Sequence, residues 1–589
     1  MFKYQLKDSP IEEIQEGFME DYLRRLGVSK ISSFLDSPEQ EDELDPFLLN
    51  DIEKGLSMLY KHLELENDIF LVVDSDVDGY SSAAIMYQFI KQIKPDINIE
   101  YYIHPEKEHG IVPETVPYGV ALAIVPDAGS NQYDELQELD ERGIEVLVLD
   151  HHLVDQISLY KSDNVVIINN QLSPKFTNKS SSGAGVVYKF IQAYCRRYKL
   201  GNLYENYTDL AALGILSDMM LITELDNNYI IKKGLKNIKN KMFQALLNKQ
   251  SFSVSSTTQP NIIDVVFYVT PVINGTIRMG TLADKANLFE ALVTPDSVFT
   301  FSRTWRDKEI IENLYDKVAR ESYNIKEKQN RITLKTMEGI CEVIEREELY
   351  KNQIIVYKTS KSNPNEVPKS LTGLVAMKIL QKYNRPTLIL RPVVEDNKTY
   401  FRGSGRGKKM EGFPSFKDYL TSSGIVDYAQ GHDMAFGAGI EESRIPSLVE
   451  HANSTLAHID FGTDTVDVDY IFTNDNLDTG MLYEFAKHID IYGNGIPQPA
   501  FAFELMLQPS NFNIIGKKKD TIKISYGGVT FIKFRSSEWA ETVEYNNQFP
   551  LIKATIIGRS QLNEFNGNVS TQIVIDHMNL EELDVESLI

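Results

Sequence analysis

Three short acidic patches in this chain contain side chains that could hold divalent metal ions. They are DSDVDG at 74–79, PDAGS at 126–130 and DHH at 150–152, and Asp218 follows further along the chain. Crowded carboxylates repel each other unless cations bind, and Asp with His is a ligand mixture suited to Mn²⁺ or Mg²⁺. The pattern therefore indicates metal-assisted hydrolysis at phosphorus.

Each patch directly follows an apolar run of strand length. The runs at 69–73, 120–125 and 144–149 end at the first, second and third patch. A helix-like stretch follows the first patch through residue 90. Ligands bind at the carboxyl edge of an open parallel sheet, where the ends of these strands should meet. We therefore predict an α/β domain that carries a metal site at this edge.

Taken singly, each patch has a simpler interpretation. A DxDxDG segment is matched about as well by a calcium loop, and a His pair after a strand is more often a capped turn. An isolated Asp-Gly turn indicates nothing. Three patches in order at strand ends, with an Asp on a later helix, favour the metal site over these separate explanations.

The order of further motifs resembles that of the RecJ single-strand DNA exonucleases of the DHH phosphoesterase superfamily, and the resemblance covers nearly the whole chain. Many ordered matches make it specific. The motifs after DHH are SGAGVVYK (182–189), DLAALGILSDMML (209–221), TPVINGTIRMG (270–280), GSGRG (403–407), QGHDMAFGAG (430–439), YGNGIPQPAF (492–501) and NEFNG (563–567).

The resemblance implies a multidomain α/β protein, in which a DHH parallel-sheet domain and a DHHA1 α/β lobe are joined by a long helix. A C-terminal OB-like β-barrel should follow, because residues after about 465 read as five short strands separated by turns. The expected units are an acidic helical N-terminal cap (1–67), the DHH catalytic domain (68–287), the connecting helix (288–334), the DHHA1 domain (335–462) and the OB-fold domain (463–589).

The resemblance also implies two divalent cations, Mn²⁺ or Mg²⁺, and an activated water in place of a protein nucleophile. Asp127 is expected to bridge the ions, His152 to face the phosphate, and Asp150 to orient its neighbours. The expected catalytic residues are Asp76, Asp78, Asp127, His151, His152 and Asp218. The expected metal ligands are Asp74, Asp76, Asp78, Asp127, His151 and Asp218.

Substrate contacts are expected from the segment 270–280 and from the second lobe. Arg278 matches the family arginine that meets the 5′-terminal phosphate, and a guanidinium fork suits a phosphate better than an ammonium does. Glycine-rich segments of the second lobe would let backbone amides approach phosphate. The expected substrate-binding residues are His152, Asn274, Arg278, Arg402, Ser404, Arg406 and His432.

One departure from the family pattern concerns the 5′ end of the substrate. RecJ proteins usually carry a Pro-Asn-Arg stretch after the second strand, whereas residues 102–107 read YIHPEK and contain no arginine. Lys107 is the candidate substitute, with poorer bidentate recognition. No metal ligand is lost, so the chain is expected to be a divergent member.

Composition sets further limits. The chain has 589 residues, 42% hydrophobic residues and a net charge of −24, and its only cysteines are Cys195 and Cys341. The length and hydrophobic content suit several globular domains. The presence of only two cysteines suits a reducing cytoplasm and excludes a cysteine metal cage. No apolar run or leader pattern predicts a membrane segment. The acidic balance does not exclude DNA, because the basic run at 402–409 allows local phosphate contacts.

The expected activity is metal-dependent 5′-to-3′ hydrolysis of single-stranded DNA to 5′-mononucleotides, in recombination, repair or replication. A single-strand-binding protein or a helicase is a candidate partner. The alternatives are a DHH-type oligoribonuclease or cyclic-dinucleotide phosphodiesterase, a family II pyrophosphatase, and a catalytically silent replication scaffold. The barrel-like region 465–589 argues against the oligoribonuclease and the cyclic-dinucleotide phosphodiesterase. The chain length argues against a pyrophosphatase, and the complete set of metal ligands argues against a silent scaffold.

Overall fold

The structure is a computed structural model of the chain. It describes residues 2–583, apart from positions 9, 12–16, 37–39, 107, 156–158, 295–299, 306–307, 364–365, 396–397, 463–464, 517–518, 535, 547–548 and 566–567.

The N-terminal segment contains a strand as well as the predicted helices. Its first strand pairs in parallel with Thr465–Val468, and Tyr22 packs edge-on against Phe485 with ring centroids 5.7 Å apart. The N-terminal segment therefore contacts the C-terminal part of the chain as well as the first domain. Its elements are β1 (Lys3–Leu6), α1 (Phe18–Arg25), α2 (Ile31–Leu35) and α3 (Ile52–Glu64).

The first domain is built on a five-stranded parallel sheet, as the apolar runs predicted. The strand order is β3-β2-β4-β5-β6, so the order reverses between β2 and β4, the position at which open α/β sheets bind ligands. Strands β2, β4 and β6 are buried along their whole length, as expected where helices cover both faces. The strands are β2 (Ile69–Val73), β3 (Ile99–Ile103), β4 (Leu122–Pro126), β5 (Glu145–Asp150) and β6 (Val165–Asn169).

Helices pack against this sheet. A π-helical turn, Val265–Val269, joins the helix that ends at Asp264 to the helix that begins at Thr270. The helices are α4 (Val77–Ile93), α5 (Tyr133–Glu141), α6 (Gly183–Tyr198), α7 (Thr208–Ser217), α8 (Leu225–Lys236), α9 (Lys241–Lys249), α10 (Ile262–Asp264), α11 (Thr270–Met279) and α12 (Leu282–Val293).

The long helix begins and ends later than the predicted range 288–334. Helix α12 ends at Val293, because Thr294 precedes Pro295 and a residue before proline disfavours helical geometry. A hairpin of β7 (Thr300–Trp305) and β8 (Lys308–Asn313) follows. Asn313 then caps the 33-residue helix α13 (Leu314–Arg346) by accepting a hydrogen bond from the Asp316 N–H.

The second lobe has a five-stranded mixed sheet of order β12-β13-β11-β10-β9. Two separate apolar clusters form its core, one on each face of the sheet. Its elements are β9 (Ile355–Lys358), α14 (Thr372–Tyr383), β10 (Thr387–Glu395), β11 (Lys398–Arg406), α15 (Phe416–Ser422), β12 (Tyr428–His432), β13 (Ala435–Glu441) and α16 (Ile445–Thr455).

The C-terminal region contains the five predicted strands within a seven-stranded sheet. Two further strands extend this sheet, which has the order β15-β16-β20-β21-β19-β18-β17. The elements are β14 (Thr465–Val468), β15 (Tyr470–Thr473), α17 (Thr479–Lys487), β16 (Phe501–Leu507), β17 (Phe512–Ile515), β18 (Thr521–Tyr526), β19 (Val529–Lys533), α18 (Ser537–Asn546), β20 (Leu551–Phe565) and β21 (Asn568–Leu583).

Within the described part of the chain, one helical segment is long and apolar enough to cross a membrane. It is Ile262–Met279, with a mean hydropathy of 1.3, and 56% of it is buried inside the protein. Helix α11, which forms its second half, packs against α13, so the segment is part of the folded core.

Candidate metal centre

The carboxyl ends of three neighbouring strands form the floor of the candidate metal centre. Asp74 directly follows β2, Asp127 follows β4, and Asp150 ends β5 immediately before His151. These strands are adjacent in the sheet, so their ends meet at the point where the strand order reverses. The structure thus brings together the three acidic patches that the sequence places far apart.

The ligand atoms form three overlapping groups, in each of which they all lie within 4.8 Å of one another. Asp127 belongs to two of the groups, as a bridging carboxylate would. The groups are Asp74 with Asp76 and Asp127; Asp78 with His151 and Asp218; and Asp127 with His151 and His152. This arrangement could hold more than one divalent ion.

Asp78 is held in place by the N-terminus of a neighbouring helix. Its two carboxylate oxygens accept hydrogen bonds from the N–H groups of Gly183 (2.6 Å) and Ala184 (3.0 Å), which begin α6. The positive end of the helix dipole favours a carboxylate at this position. Asp76 caps α4 in a similar way, because one of its oxygens accepts a hydrogen bond from the Gly79 N–H at 3.0 Å.

Asp127 lies at the centre of the cluster and is 1% exposed. Among the described residues, no group donates a hydrogen bond to its Oδ1 atom, although His151 Nε2 lies 3.2 Å away. Burial raises the pKa of Asp127 well above its usual value, and the charges of Asp78 and Asp76 raise it further. An unpartnered buried carboxylate among other carboxylates requires a cation or a proton.

Two further carboxylates show the same crowding. Burial, followed by the charges of Asp78 and Asp76, raises the pKa of Asp218 to about 8. Burial and the charge of Asp78 also raise the pKa of Asp76. The donors are carboxylate oxygens and imidazole nitrogens, which fit Mn²⁺ or Mg²⁺, and a bound cation would remove the repulsion.

Asp150 holds the following two histidines in position. Its Oδ1 atom accepts hydrogen bonds from the His151 N–H (2.7 Å) and His152 N–H (3.1 Å), and contacts His152 Nδ1 at 2.8 Å. Its Oδ2 atom accepts a hydrogen bond from the Ser130 N–H at 3.0 Å. Burial acts to raise the pKa of Asp150, but the hydrogen bond and charge of His152 outweigh it and keep the pKa low. Asp150 therefore holds the backbone of both histidines and contacts the imidazole of His152.

His109 also contacts the cluster, and the sequence did not predict this. Its Nδ1 atom lies 2.6 Å from Asp74 Oδ2, while the Gly110 N–H donates a hydrogen bond to Asp74 Oδ1 at 2.8 Å. Asp74 itself is 1% exposed. His109 follows two residues after the segment 102–107 that departs from the family pattern, and that departure was the nearest available signal.

We expect His109→Ala to weaken Mn²⁺ binding by about tenfold, because loss of a partner that orients a ligand typically costs 10–100-fold in metal affinity. Mn²⁺ titration monitored by calorimetry measures this. His109→Asn is the matched control, since its amide can replace the Nδ1 donor, and it should restore much of the affinity. Equal affinity in the Ala variant and the wild type would contradict a positioning role.

Two of the expected substrate residues in the first domain lie on α11, which contacts helix α4 of the metal site. Asn274 and Arg278 are four residues apart on α11 and so share one face of that helix. Arg278 is exposed, yet burial of its guanidinium by surrounding protein atoms lowers its pKa, an effect that the charge of Asp76 opposes. Among the described residues, Asn274 Oδ1 is buried without a hydrogen-bond partner.

The second lobe places its expected substrate residues at different points along its sheet. Ser404 and Arg406 lie on one face of β11, and the Ser404 hydroxyl is 2.8 Å from the Thr372 hydroxyl at the start of α14. Arg402 instead forms a bidentate ion pair with Glu395 at 2.6 and 2.8 Å, which neutralises its charge.

His432 is exposed at the end of β12. It pairs with Ala435, which in turn pairs with Arg406, so that His432 is two strands from Arg406. Lys107, the candidate substitute for the missing family arginine, lies outside the described residues.

The second lobe contacts the first domain across the cleft. Lys369 Nζ lies 3.0 Å from Glu106 Oε2, and the Ser370 hydroxyl is 3.3 Å from Met279 Sδ. These contacts join the loop before α14 to the loop after β3 and to the end of α11. The second lobe therefore contacts the loop after β3, at the same carboxyl edge of the parallel sheet that carries the metal cluster.

Two family models match the chain. The N-terminal domain of the DHH family matches residues 68–215, and the RecJ OB domain matches residues 468–577. The first match contains five of the six expected metal ligands, and the second covers the C-terminal sheet.

Curated relatives match along almost the whole chain. A putative SPbeta prophage-derived single-strand DNA-specific exonuclease, YorK, of Bacillus subtilis strain 168 is 31% identical over 94% of this chain and 94% of its own length. The single-stranded-DNA-specific exonuclease RecJ of Haemophilus influenzae is 24% identical, with 91% of this chain and 92% of that protein covered.

A solved structure has the same fold. The crystal structure of Thermus thermophilus RecJ in complex with Mn²⁺ matches with a TM-score of 0.70 and 20% identity, covering 99% of this chain and 80% of that chain. The multidomain α/β fold with a C-terminal OB-like region is thereby confirmed.

Proposed function

Because the chain belongs to the RecJ-like single-strand DNA exonucleases of the DHH family, we propose that it degrades single-stranded DNA from the 5′ end and releases 5′-mononucleotides. The observation that carries this proposal is the cluster of carboxylate and imidazole groups that could hold divalent ions. Arg278 on α11 is near enough for the charge of Asp76 to act on the pKa of its guanidinium. A guanidinium next to the hydrolytic centre can hold the end of a strand while the adjoining phosphodiester lies over the ligands.

The proposed mechanism uses two divalent ions, Mn²⁺ or Mg²⁺. When bound, these ions would acidify a water and neutralise charge on the scissile phosphate. Asp127 would be shared between them, Asp74 and Asp76 would complete one set of ligands, and Asp78, His151 and Asp218 the other. Each of these residues has a ligand atom within 4.8 Å of its partners in the groups described above.

The remaining side chains have positioning roles in this proposal. In this proposal the exposed imidazole of His152 faces the phosphate. The hydrogen bond that His152 Nδ1 donates to Asp150 raises the pKa of His152 to about 9, which favours a cationic ring at neutral pH. A cationic imidazole can donate a hydrogen bond to a phosphate oxygen. Arg278, Ser404 and Arg406 would hold the phosphates on either side of the scissile bond, with Asn274, Arg402 and His432 as further contacts.

The substrate is a single strand in this proposal because the chain has a C-terminal sheet of the OB type and its relatives are named single-strand DNA-specific exonucleases. OB folds hold single strands by stacking bases on aromatic rings. Phe534 at the end of β19 is 54% exposed and is available for stacking, whereas Phe531 is fully buried in the core. The proposal includes a cytoplasmic location, a role in recombination, repair or replication, and a single-strand-binding protein or helicase as partner.

A time course on single-stranded DNA labelled at its 3′ end tests the direction of degradation. We expect the label to stay on a shrinking ladder and to reach the mononucleotide last, because the 5′ end is held at Arg278. Blunt duplex DNA should resist digestion, since stacking on the OB-type sheet requires unpaired bases. Early release of the labelled 3′ nucleotide would reverse the proposed polarity, and equal digestion of duplex would contradict the single-strand preference.

A further inference from the structure

The sheet of the second lobe ends at an open edge. Strand β9 is the last strand in the order β12-β13-β11-β10-β9, and in the described part of the chain no strand pairs with its outer edge. The N–H groups of Ile355 and Thr359 donate hydrogen bonds on the β10 side, at 2.8 and 2.9 Å. Backbone groups of successive strand residues point to opposite edges, so the N–H and C=O groups of Val356 and Lys358 face outward.

A groove of about 720 Å³ runs along this edge, and Val356 and Lys358 line it. Ile355 packs in the apolar cluster that contains the end of α13, whereas Val356 packs against the cluster that contains α16, so the groove has a wall on each face of the sheet. A strand added here would place successive side chains alternately against the two walls. The apolar lining consists of Val343 and Leu349 on the first wall and Ile445, Pro446 and Val449 on the second.

The edge is accessible, although charged side chains often shield such edges. Lys358 Nζ lies 5.6 Å from the centroid of the Phe401 ring, so its charge lies over the face of the sheet. Asn453 of α16 donates a hydrogen bond to Asn352 Oδ1 and accepts one from the Gln353 N–H, both at 2.8 Å. These bonds fix α16 beside the start of β9, and the groove is therefore a defined feature of the lobe.

The rim of the groove is acidic. Glu347 at the end of α13 and Glu450 on α16 are exposed on opposite walls, and Glu366 also lines the groove. Among the described lining residues, Lys358 is the single cation. Glu347 contacts Arg346 at 3.1 Å, but a pair of such exposed side chains contributes little. An acidic rim disfavours nucleic acid and would repel the same rim of a second copy, whereas it suits a basic partner.

We propose that this groove binds an extended segment of another protein as an added strand of the sheet, and that the segment has apolar residues at its centre and basic residues at its ends. Hydrogen bonds to the backbone of Val356 and Lys358 supply affinity, and the two walls select side chains. Strand β9 lies two strands from β11, which carries Ser404 and Arg406. The groove is therefore separate from the proposed substrate contacts, and the inference does not depend on the proposed function.

The probe for this groove is a fluorescein-labelled peptide of eight residues, with four central valine and isoleucine residues and two lysines at each end. Fluorescence anisotropy with the full chain should show saturable binding. A peptide with glutamates in place of the lysines should bind about tenfold more weakly, because the rim repels it. A lysine peptide with all four central amides N-methylated should also lose about tenfold or more, since it cannot donate hydrogen bonds to the edge. Equal binding of the three peptides, or no binding of the first, would overturn the inference.

Reversal of the rim charge tests the location of the peptide. Glu347→Lys combined with Glu450→Lys should weaken binding of the lysine peptide by about tenfold and strengthen binding of the glutamate peptide. Glu338→Lys combined with Glu342→Lys is the matched control, because it changes the net charge equally at exposed positions of α13 outside the groove. Turnover on single-stranded DNA should be the same in both variants and the wild type. Equal effects of the two double substitutions would place the peptide elsewhere and overturn the inference.

Hydrogen exchange in the wild type tests addition of a strand without any variant. The lysine peptide should slow exchange at the amides of Val356 and Lys358, and should leave those of Ile355 and Thr359 unchanged because they already bond on the β10 side. Unchanged exchange at Val356 and Lys358 would contradict strand addition.

Two other occupants give distinct results, and either result would overturn the inference. Protection of the Val356 and Lys358 amides by a thymidine oligonucleotide in EDTA would identify the groove as a nucleic-acid site. A wild-type dimer in sedimentation that the lysine peptide dissociates would identify a second copy of the chain as the occupant.

Discussion

Replacement of Asp127 by Asn is expected to lower hydrolysis by about a thousandfold or more, because loss of a shared metal ligand removes several kcal/mol of stabilisation from the transition state. Asp127 is the one residue that belongs both to the group with Asp74 and Asp76 and to a group with His151. A neutral amide at this position cannot neutralise two cations. Turnover on single-stranded DNA with Mn²⁺, together with Mn²⁺ affinity, measures the effect.

The fold should survive this substitution. Asp127 has a φ of +65°, which Asn tolerates better than Ala, so the variant adds little backbone strain. Removal of one charge also relieves the carboxylate repulsion, and the unfolding temperature in EDTA should stay constant or rise. Asp134→Asn, an exposed position on α5, is the control and should leave turnover unchanged. A variant at 127 that kept more than a small fraction of turnover would disprove the bridging role.

Gly183→Ala is expected to lower turnover by about a hundredfold, the typical result of displacing a catalytic group by about 1 Å. A Cβ atom at Gly183 would lie 2.5 Å from Asp127 Cβ and 2.7 Å from Asp127 Cγ, closer than real atoms approach. The Gly183 N–H also holds Asp78. The added methyl group would therefore displace one ligand directly and a second through the start of α6.

The matched control is Gly339→Ala on the exposed side of α13, where an added Cβ would meet no atom within 4 Å. This control should gain stability of up to about 1 kcal/mol, because Ala has the higher helix propensity. Mn²⁺ affinity, turnover and unfolding temperature should be measured for both variants. If Gly183→Ala bound Mn²⁺ as tightly as the wild type, the close packing of α6 against the metal cluster would have no functional role.

Several features could be predicted from the sequence because they depend on short stretches of chain. Apolar runs bounded by Asp or His predicted β2, β4 and β5, and parallel strands necessarily bring their carboxyl ends to one edge. The ordered motifs identified the family, and the comparisons confirmed it together with the fold class and the exonuclease activity. The roles of the individual ligands and the domain boundaries stay predictions.

The range of the long helix shows a limit of local patterns. Charged, helix-like residues run from 288 onward, but Pro295 and the hairpin β7–β8 separate α12 from α13. Hydrophobic periodicity does not reveal this interruption. The short hairpin mixes polar and apolar residues much as an amphipathic helix does. The strand Lys3–Leu6 was missed for a related reason, since its partner Thr465–Val468 is more than 450 residues away in sequence.

The sequence by itself determined the family, the order of the domains and the set of residues that could bind metal, because each depends on residue types at short spacing. Only the tertiary structure placed His109 on Asp74 and Lys326 against Gly275 of α11. Both contacts depend on how separate elements pack. The His109 contact forms where a loop meets the edge of the sheet, and the Lys326 contact forms where a glycine lies between two helices. Such contacts join residues that are distant in sequence, and no local pattern encodes them.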